Sequence, residues 1–129
     1  MSAEYHPIPG NSTLPFSEAV RVGDMLYLAG AMGFDMTTMT LVPGGVEAET
    51  RKTLENIRAT LERHGSSLDH VVKATVFLAD MSEWEKMNAV YVTYFKKNLP
   101  ARSALAASGL AIGARVEVEC IAFVPPKTP

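Results

Sequence analysis

The clearest pattern in the chain is a strict alternation near its C-terminus. Val116, Val118, Cys120, Ala122 and Val124 fall on one side of an extended segment, and Arg115, Glu117, Glu119, Ile121 and Phe123 on the other. The first set reads as a core face. The second places two carboxylates in a strand otherwise suited to burial. Upstream, Pro100 stops a helix and opens an extended run with Arg102 among small apolar residues. Gly109 and Gly113 bracket a turn between the two segments. If the segments pair across that turn, Arg102 comes close to Glu117 or Glu119. A fixed guanidinium beside a fixed carboxylate makes a site for a small carboxylate with a water nearby. The alternative is an ordinary cross-strand ion pair.

The same patterning divides the rest of the chain. Residues 1–15 carry Pro7, Pro9, Gly10 and Pro15 and read as irregular or extended. Phe16 to Val22 reads as a short strand, and Gly23-Asp24 as a two-residue hairpin turn. Met25 to Met32 is apolar on both faces, the mark of a strand covered on both sides. Gly30 within it suggests close approach by another group, a ligand or simply packing. Residues 33–45 read as a loop with room for a short strand. Val46 to His64 is the first helix, with Val46, Thr50, Leu54, Ile57 and Leu61 on one face and Gly65 just past its end. Val71 to Ala79 is a β-branched central strand.

Ser82 followed by Glu85 predicts a capping box and a second helix to about Lys97. Its apolar stripe is Trp84, Met87, Tyr91 and Tyr94, and Asn88 lies on that stripe, one turn from Trp84. A polar amide there needs a partner, a backbone group or a ligand. The element order predicts an α+β fold, one mixed sheet with both helices on one face. Two helices cover only one face. The apolar character of Met25–Met32, Ile121 and Phe123 then predicts that a second subunit covers the other.

Composition narrows the classes. The chain has 129 residues, net charge −2 and a single cysteine. That is enough for one domain spanning 1–129 with a real core. Cys120 lies on the apolar strand face and reads as a small buried hydrophobe; a reducing, cytoplasmic setting is expected. No signal peptide and no membrane-spanning run is predicted. His6, His64 and His70 are scattered, so no metal site is predicted, and Gly44-Gly45 lacks the lysine of a phosphate loop. No cofactor is implied. Lysines and arginines alternate with acids, which argues against a nucleic-acid partner.

The block PARSAL (100–105) with VEVECIA (116–122) resembles the signature of the Rid (YjgF, reactive intermediate/imine deaminase) family. The resemblance extends over Gly23–Gly33, Thr53–Ile57, Val72–Asp80 and Met87–Tyr91. It implies a chorismate-mutase-like fold, a homotrimer, and sites in the clefts between subunits. It implies hydrolysis of reactive enamines and imines, such as 2-aminoacrylate and 2-imino acids, to 2-keto acids and ammonia. Arg102 would hold the substrate carboxylate. Glu117 would orient the attacking water with the main-chain carbonyl of Ala104. Gly30 and Asn88 would line the cleft. Phe16 stands where archetypal members have tyrosine, so one hydroxyl contact to substrate would be missing; Phe16 as a core residue of the first strand is the alternative. Two other functions stay open: a non-catalytic binder of imino or keto carboxylates, and an RNA-acting translation inhibitor.

Overall fold

A computed structural model describes residues 2–10 and 13–127. The strands are β1 (Ala3–Pro7), β2 (Ser17–Val22), β3 (Met25–Leu28), β4 (Phe34–Asp35), β5 (Thr40–Leu41), β6 (Val71–Leu78), β7 (Ala101–Ala106) and β8 (Val116–Phe123). The helices are α1 (Gly45–Arg63) and α2 (Trp84–Tyr94). Six strands form one mixed sheet in the order β1-β2-β3-β8-β6-β7, while β4 and β5 form a separate small hairpin. Both helices pack on one face, over Leu26, Leu28, Ala74, Val76, Leu78, Val116, Val118, Cys120 and Ala122. The α+β layer and the alternation of β8 are as the pattern predicts.

The pairing of the last two strands is not. β7 lies parallel to β6, with α2 as the crossover, and β6 separates β7 from β8. The turn between β7 and β8 favours a hairpin only if the two strands are neighbours. The βαβ crossover places β7 at the sheet edge instead. Arg102 aligns with Ala74, whose side chain is fully buried beneath the helices. Glu117 aligns with Phe77, on the opposite face. Within one chain, Arg102 and Glu117 therefore lie on different faces with a strand between them.

The N-terminal stretch is also more regular than its prolines suggest. Ala3–Pro7 pairs antiparallel with β2 as an edge strand, and the register slips between His6 and Pro7. An outermost strand tolerates a proline at its end, because no further strand needs the missing N–H.

Helix ends follow local chemistry. At the end of α1, Gly65 adopts φ 80°. The Gly65 N–H donates to Glu62 O (3.3 Å) and the Ser66 N–H to Leu61 O (2.9 Å), the paired bonds of a Schellman turn. The buried hydroxyls of Thr50 and Thr53 donate to Val46 O and Glu49 O one turn back. Before α2 the cap is Asp80, not Ser82. Its carboxylate accepts from the Ser82 N–H at 2.9 Å and starts a short 3₁₀ turn over Met81–Glu83 that leads into the helix. The helix ends at Tyr94 rather than Lys97. Phe95 leaves helical geometry and turns into the core against Tyr91, ring centroids 4.7 Å apart.

The face away from the helices is mixed, not simply apolar. Tyr27, Leu105 and Phe123 are exposed there, beside Lys73, Thr75, Glu117 and Glu119.

Candidate functional site

Arg102 enters from β7, the outermost strand, and its side chain reaches the first two turns of α2. Its Nη1 donates to Asn88 Oδ1 at 2.7 Å. Its guanidinium carbon lies 4.7 Å from the centre of the Tyr91 ring and 5.4 Å from that of Trp84. Positions 84, 88 and 91 follow helical spacing, so one face of α2 presents a ring, an amide and a ring. The predicted need of Asn88 for a partner is met, and the partner is the Arg102 side chain.

What Arg102 lacks is an acid. Arg21, Arg58, Arg63 and Arg115 each form an ion pair with a carboxylate, from Asp24, Glu55, Glu18 and Glu83 respectively. Among the described residues, no carboxylate pairs with Arg102. Its neighbours are a neutral amide and two aromatic faces. A guanidinium in such surroundings is not paired with an acid of the described residues and has N–H donors to spare, which an anion can accept from. The Tyr91 hydroxyl is buried and, among the described residues, has no hydrogen-bond partner; burial pushes its pKa up to about 12, so it stays neutral.

Glu117 occupies the other face. The chain after β3 bends past Ala29 and Gly30 and rejoins β8 through Ala31, whose N–H and carbonyl both bond Val118, at 2.8 and 2.9 Å. Asn56 of α1 anchors the next stretch of backbone, donating to Met32 O and Phe34 O at 3.0 Å each. This bend lays Gly30 over the Glu117 carboxylate. A Cβ on Gly30 would sit 2.2 Å from Glu117 Oε2. The close approach expected at Gly30 is therefore by a carboxylate of the same chain. Burial first, and the neighbouring charge of Glu119 second, raise the Glu117 pKa above the ordinary carboxylate value.

The sequence-predicted residues thus gather into two groups. Arg102, Asn88 and, two residues along the strand on the Arg102 side, Ala104 form one. Glu117 and Gly30 form the other. Phe16 lies immediately before β2 and is 51% exposed. A depression of about 240 Å³ lined by Tyr27, Lys73, Thr75 and Glu119 includes neither Arg102 nor Glu117 in its walls. Nor does the groove of about 440 Å³ between Val72, Leu99 and Phe123. Trp84 and Tyr91 were readable in the sequence only as core stripe. The signal that marks them is Asn88 between them, an amide whose partner must carry hydrogen-bond donors.

Comparison with known proteins gives this arrangement a context. Residues 9–124 match the family model described as endoribonuclease L-PSP. The chain is 43% identical over 112 residues to a mouse protein named 2-iminobutanoate/2-iminopropanoate deaminase, covering 87% of this chain and 83% of that one. It is 43% identical over 109 residues to a RutC family protein of Pyrococcus horikoshii, covering 84% and 86%. Its fold superposes on the crystal structure of RidA from an Antarctic Psychrobacter with TM-score 0.82 and 37% identity, covering 93% and 94%.

Proposed function

The chain belongs to the endoribonuclease L-PSP family, which includes the Rid and YjgF proteins, and from that premise we propose that it hydrolyses 2-imino acids to 2-keto acids and ammonia. The observation that carries this reading is Arg102, a half-buried guanidinium held by neutral groups and left without a carboxylate. It is a receptor for a small organic acid. Two charge-assisted hydrogen bonds to a substrate carboxylate are worth roughly 1.5–3 kcal/mol each.

The imine carbon is already electrophilic, so no covalent nucleophile is needed. Glu117 takes a proton from water as the oxygen bonds to that carbon and passes it to the nitrogen, giving a carbinolamine; it then takes the proton of the carbinolamine hydroxyl and passes it to the nitrogen as the carbon–nitrogen bond breaks, leaving the keto acid and ammonia. The carbonyl of Ala104 helps to aim the water. Its raised pKa suits Glu117 to these proton transfers. One chain keeps the anion receptor and the base on opposite faces of the sheet. The working site therefore joins Arg102 of one copy to Glu117 of another, in a homotrimer whose subunits cover each other's open sheet faces. Exposed Tyr27, Leu105 and Phe123 on that face support such an assembly. Among the described residues no helix is long and apolar enough to cross a membrane.

The name of the family model suggests RNA cleavage as another activity. The net charge of −2 and the pairing of Arg58, Arg63 and Arg115 with acids offer little to a phosphate backbone.

The test generates 2-iminobutanoate with an amino-acid oxidase and follows keto-acid formation. The wild-type protein is expected to accelerate it, and Arg102→Ala to return it to the spontaneous rate with an unchanged circular dichroism spectrum. No acceleration by wild type would overturn the reading in favour of a binding protein.

A further inference from the structure

We infer that Trp84, Asn88 and Tyr91 are positioning residues, which act on the substrate carboxylate only through Arg102. The inference rests on the imine-deaminase reading and assigns a different role to Asn88, which the family resemblance would place in direct contact with substrate. In the structure the Asn88 side-chain oxygen is engaged by Arg102 Nη1 at 2.7 Å. The guanidinium plane is confined by two aromatic rings, at 4.7 and 5.4 Å. Three groups from one helix face thus fix the position of one side chain from a strand. The strand supplies the charge and the helix supplies its direction.

The neutrality of this cradle is its chemical content. An aspartate at position 88 would hold Nη1 at least as well as the amide does, but it would also neutralise the guanidinium. A carboxylate ligand would then compete with an internal one. Aromatic faces attract the cation without offering it a counter-charge. Tyr91 contributes its ring to this cradle, and among the described residues its hydroxyl has no hydrogen-bond partner. Arginine is required at the centre, because a planar fork can rest on rings, bond the amide and still present donors outward.

This predicts an order of effects that a merely structural contact would not give. The probe is 2-oxobutanoate, whose binding is measured by calorimetry alongside kcat and KM for 2-iminobutanoate. Asn88→Ala should raise KM and the 2-oxobutanoate Kd about fivefold, the loss of one side-chain hydrogen bond. Asn88→Asp, which keeps the hydrogen bond, should weaken binding more than Asn88→Ala does, by over about twentyfold, because it supplies the internal anion. Trp84→Leu should raise KM a few-fold, and Trp84→Phe should recover most of that loss. In each variant kcat should change much less than KM. Thermal unfolding monitors the fold in every case.

If Asn88→Asp binds 2-oxobutanoate as well as wild type does, the cradle is structural only and the inference fails. If kcat falls while KM and Kd hold, Asn88 touches the reacting atoms directly and the inference fails too. Both results leave the deaminase reading standing, provided that wild type is active and Arg102→Ala is not. Inactivity of wild type overturns the underlying reading instead.

Discussion

Arg102 on β7 and Arg115 just before β8 are both half-buried and both lie next to α2 or the turn that leads into it, yet they occupy opposite kinds of surroundings. Arg115 Nε donates to Glu83 Oε1 at 2.8 Å, and Nη2 reaches the same oxygen. The Arg115 backbone N–H donates to Glu49 Oε1, also at 2.8 Å, from a buried glutamate of α1. The start of β8 is thereby tied to α1 and to the turn before α2, and the arginine's charge is cancelled on the spot. Arg102 is held instead by an amide and two rings. Its charge is not cancelled. On the proposed function, the same residue type serves cohesion in one place and recognition in the other. The difference lies in whether the protein supplies the anion.

The sharpest way to break this contrast is to make the same substitution at both positions. Arg102→Lys should lower kcat/KM by about a hundredfold, because an ammonium cannot make the paired planar contact. Its melting temperature should stay close to that of wild type. Arg115→Lys should leave kcat/KM nearly unchanged and lower stability by under about 1 kcal/mol, since its pair with Glu83 is partly solvent-screened. Equal kinetic losses, measured by steady-state assay beside thermal unfolding, would show that the distinction between the two arginines is not functional.

The two glutamates of β8 carry the comparison to the other face. Glu117→Gln should cost a hundredfold or more in kcat, in the range of about 10²–10⁴ expected for a lost general base. Glu119→Gln should cost far less. Periodicity puts both on one side of the strand and does not separate them. Burial beneath Gly30 does, because it is Glu117 whose carboxylate meets the bend. A general base must be ionised, so activity should fall on acidification through a pKa above the ordinary carboxylate range. Removing the repulsion of Glu119 should move that acid limb to lower pH. Stability should run the other way. The folded state holds the Glu117 proton more tightly than the unfolded chain does, so stability is lost as pH rises through its raised pKa. Glu117→Gln should accordingly be inactive and slightly more stable than wild type at neutral pH. A Gln variant that is both inactive and less stable would assign Glu117 to the fold instead.

The elements that were legible in the sequence are those whose information is local. The apolar face of α1, the Gly65 turn, the Gly23-Asp24 hairpin and the alternation of β8 each depend on a few consecutive residues. The partnership of β7 does not. A turn rich in glycine links it to β8, but α2 delivers it to β6, and that choice belongs to the whole sheet. The expected meeting of Arg102 with Glu117 in one chain failed for this reason. The Asp80 cap was hidden by a serine and glutamate at capping-box spacing two residues later. Residues 3–7 were hidden by the prolines around them. For the site, Arg102 and Asn88 were each visible as polar residues in apolar runs, but their bond joins a strand to a helix 14 positions away. Single-segment patterns contain no record of it.

Gly30→Ala tests the second half-site with a smaller effect. The added methyl would lie 2.2 Å from Glu117 Oε2, so the carboxylate must swing aside. A flexible side-chain end can do that at little cost to the fold. Displacing the base should lower kcat about tenfold while KM for the imine changes little. An unchanged kcat would mean that the observed seat of Glu117 is not the one used in turnover.

The smallest expected effect is at Phe16, where the family resemblance places a tyrosine. Phe16 precedes β2 with 51% of its surface open, so its ring is not a core residue of that strand within one chain. Covered by a neighbouring copy, it would form an apolar wall of the cleft rather than offer a hydroxyl. Small polar imines then lose one hydrogen bond, worth about 0.5–1.5 kcal/mol. Imines with larger apolar side chains instead gain by burial, at roughly 25 cal/mol per Å². The wild-type protein should therefore favour imines derived from leucine or methionine over the imine of 2-aminoacrylate. Phe16→Tyr adds one oxygen at an exposed position and should fold normally. It should shift the ratio of kcat/KM toward the small substrate by about two- to tenfold. Because the shift is a ratio between substrates, a general change in stability or concentration cannot imitate it. If the ratio stays constant, residue 16 does not face the substrate, and the receptor built around Arg102 is bounded by other walls.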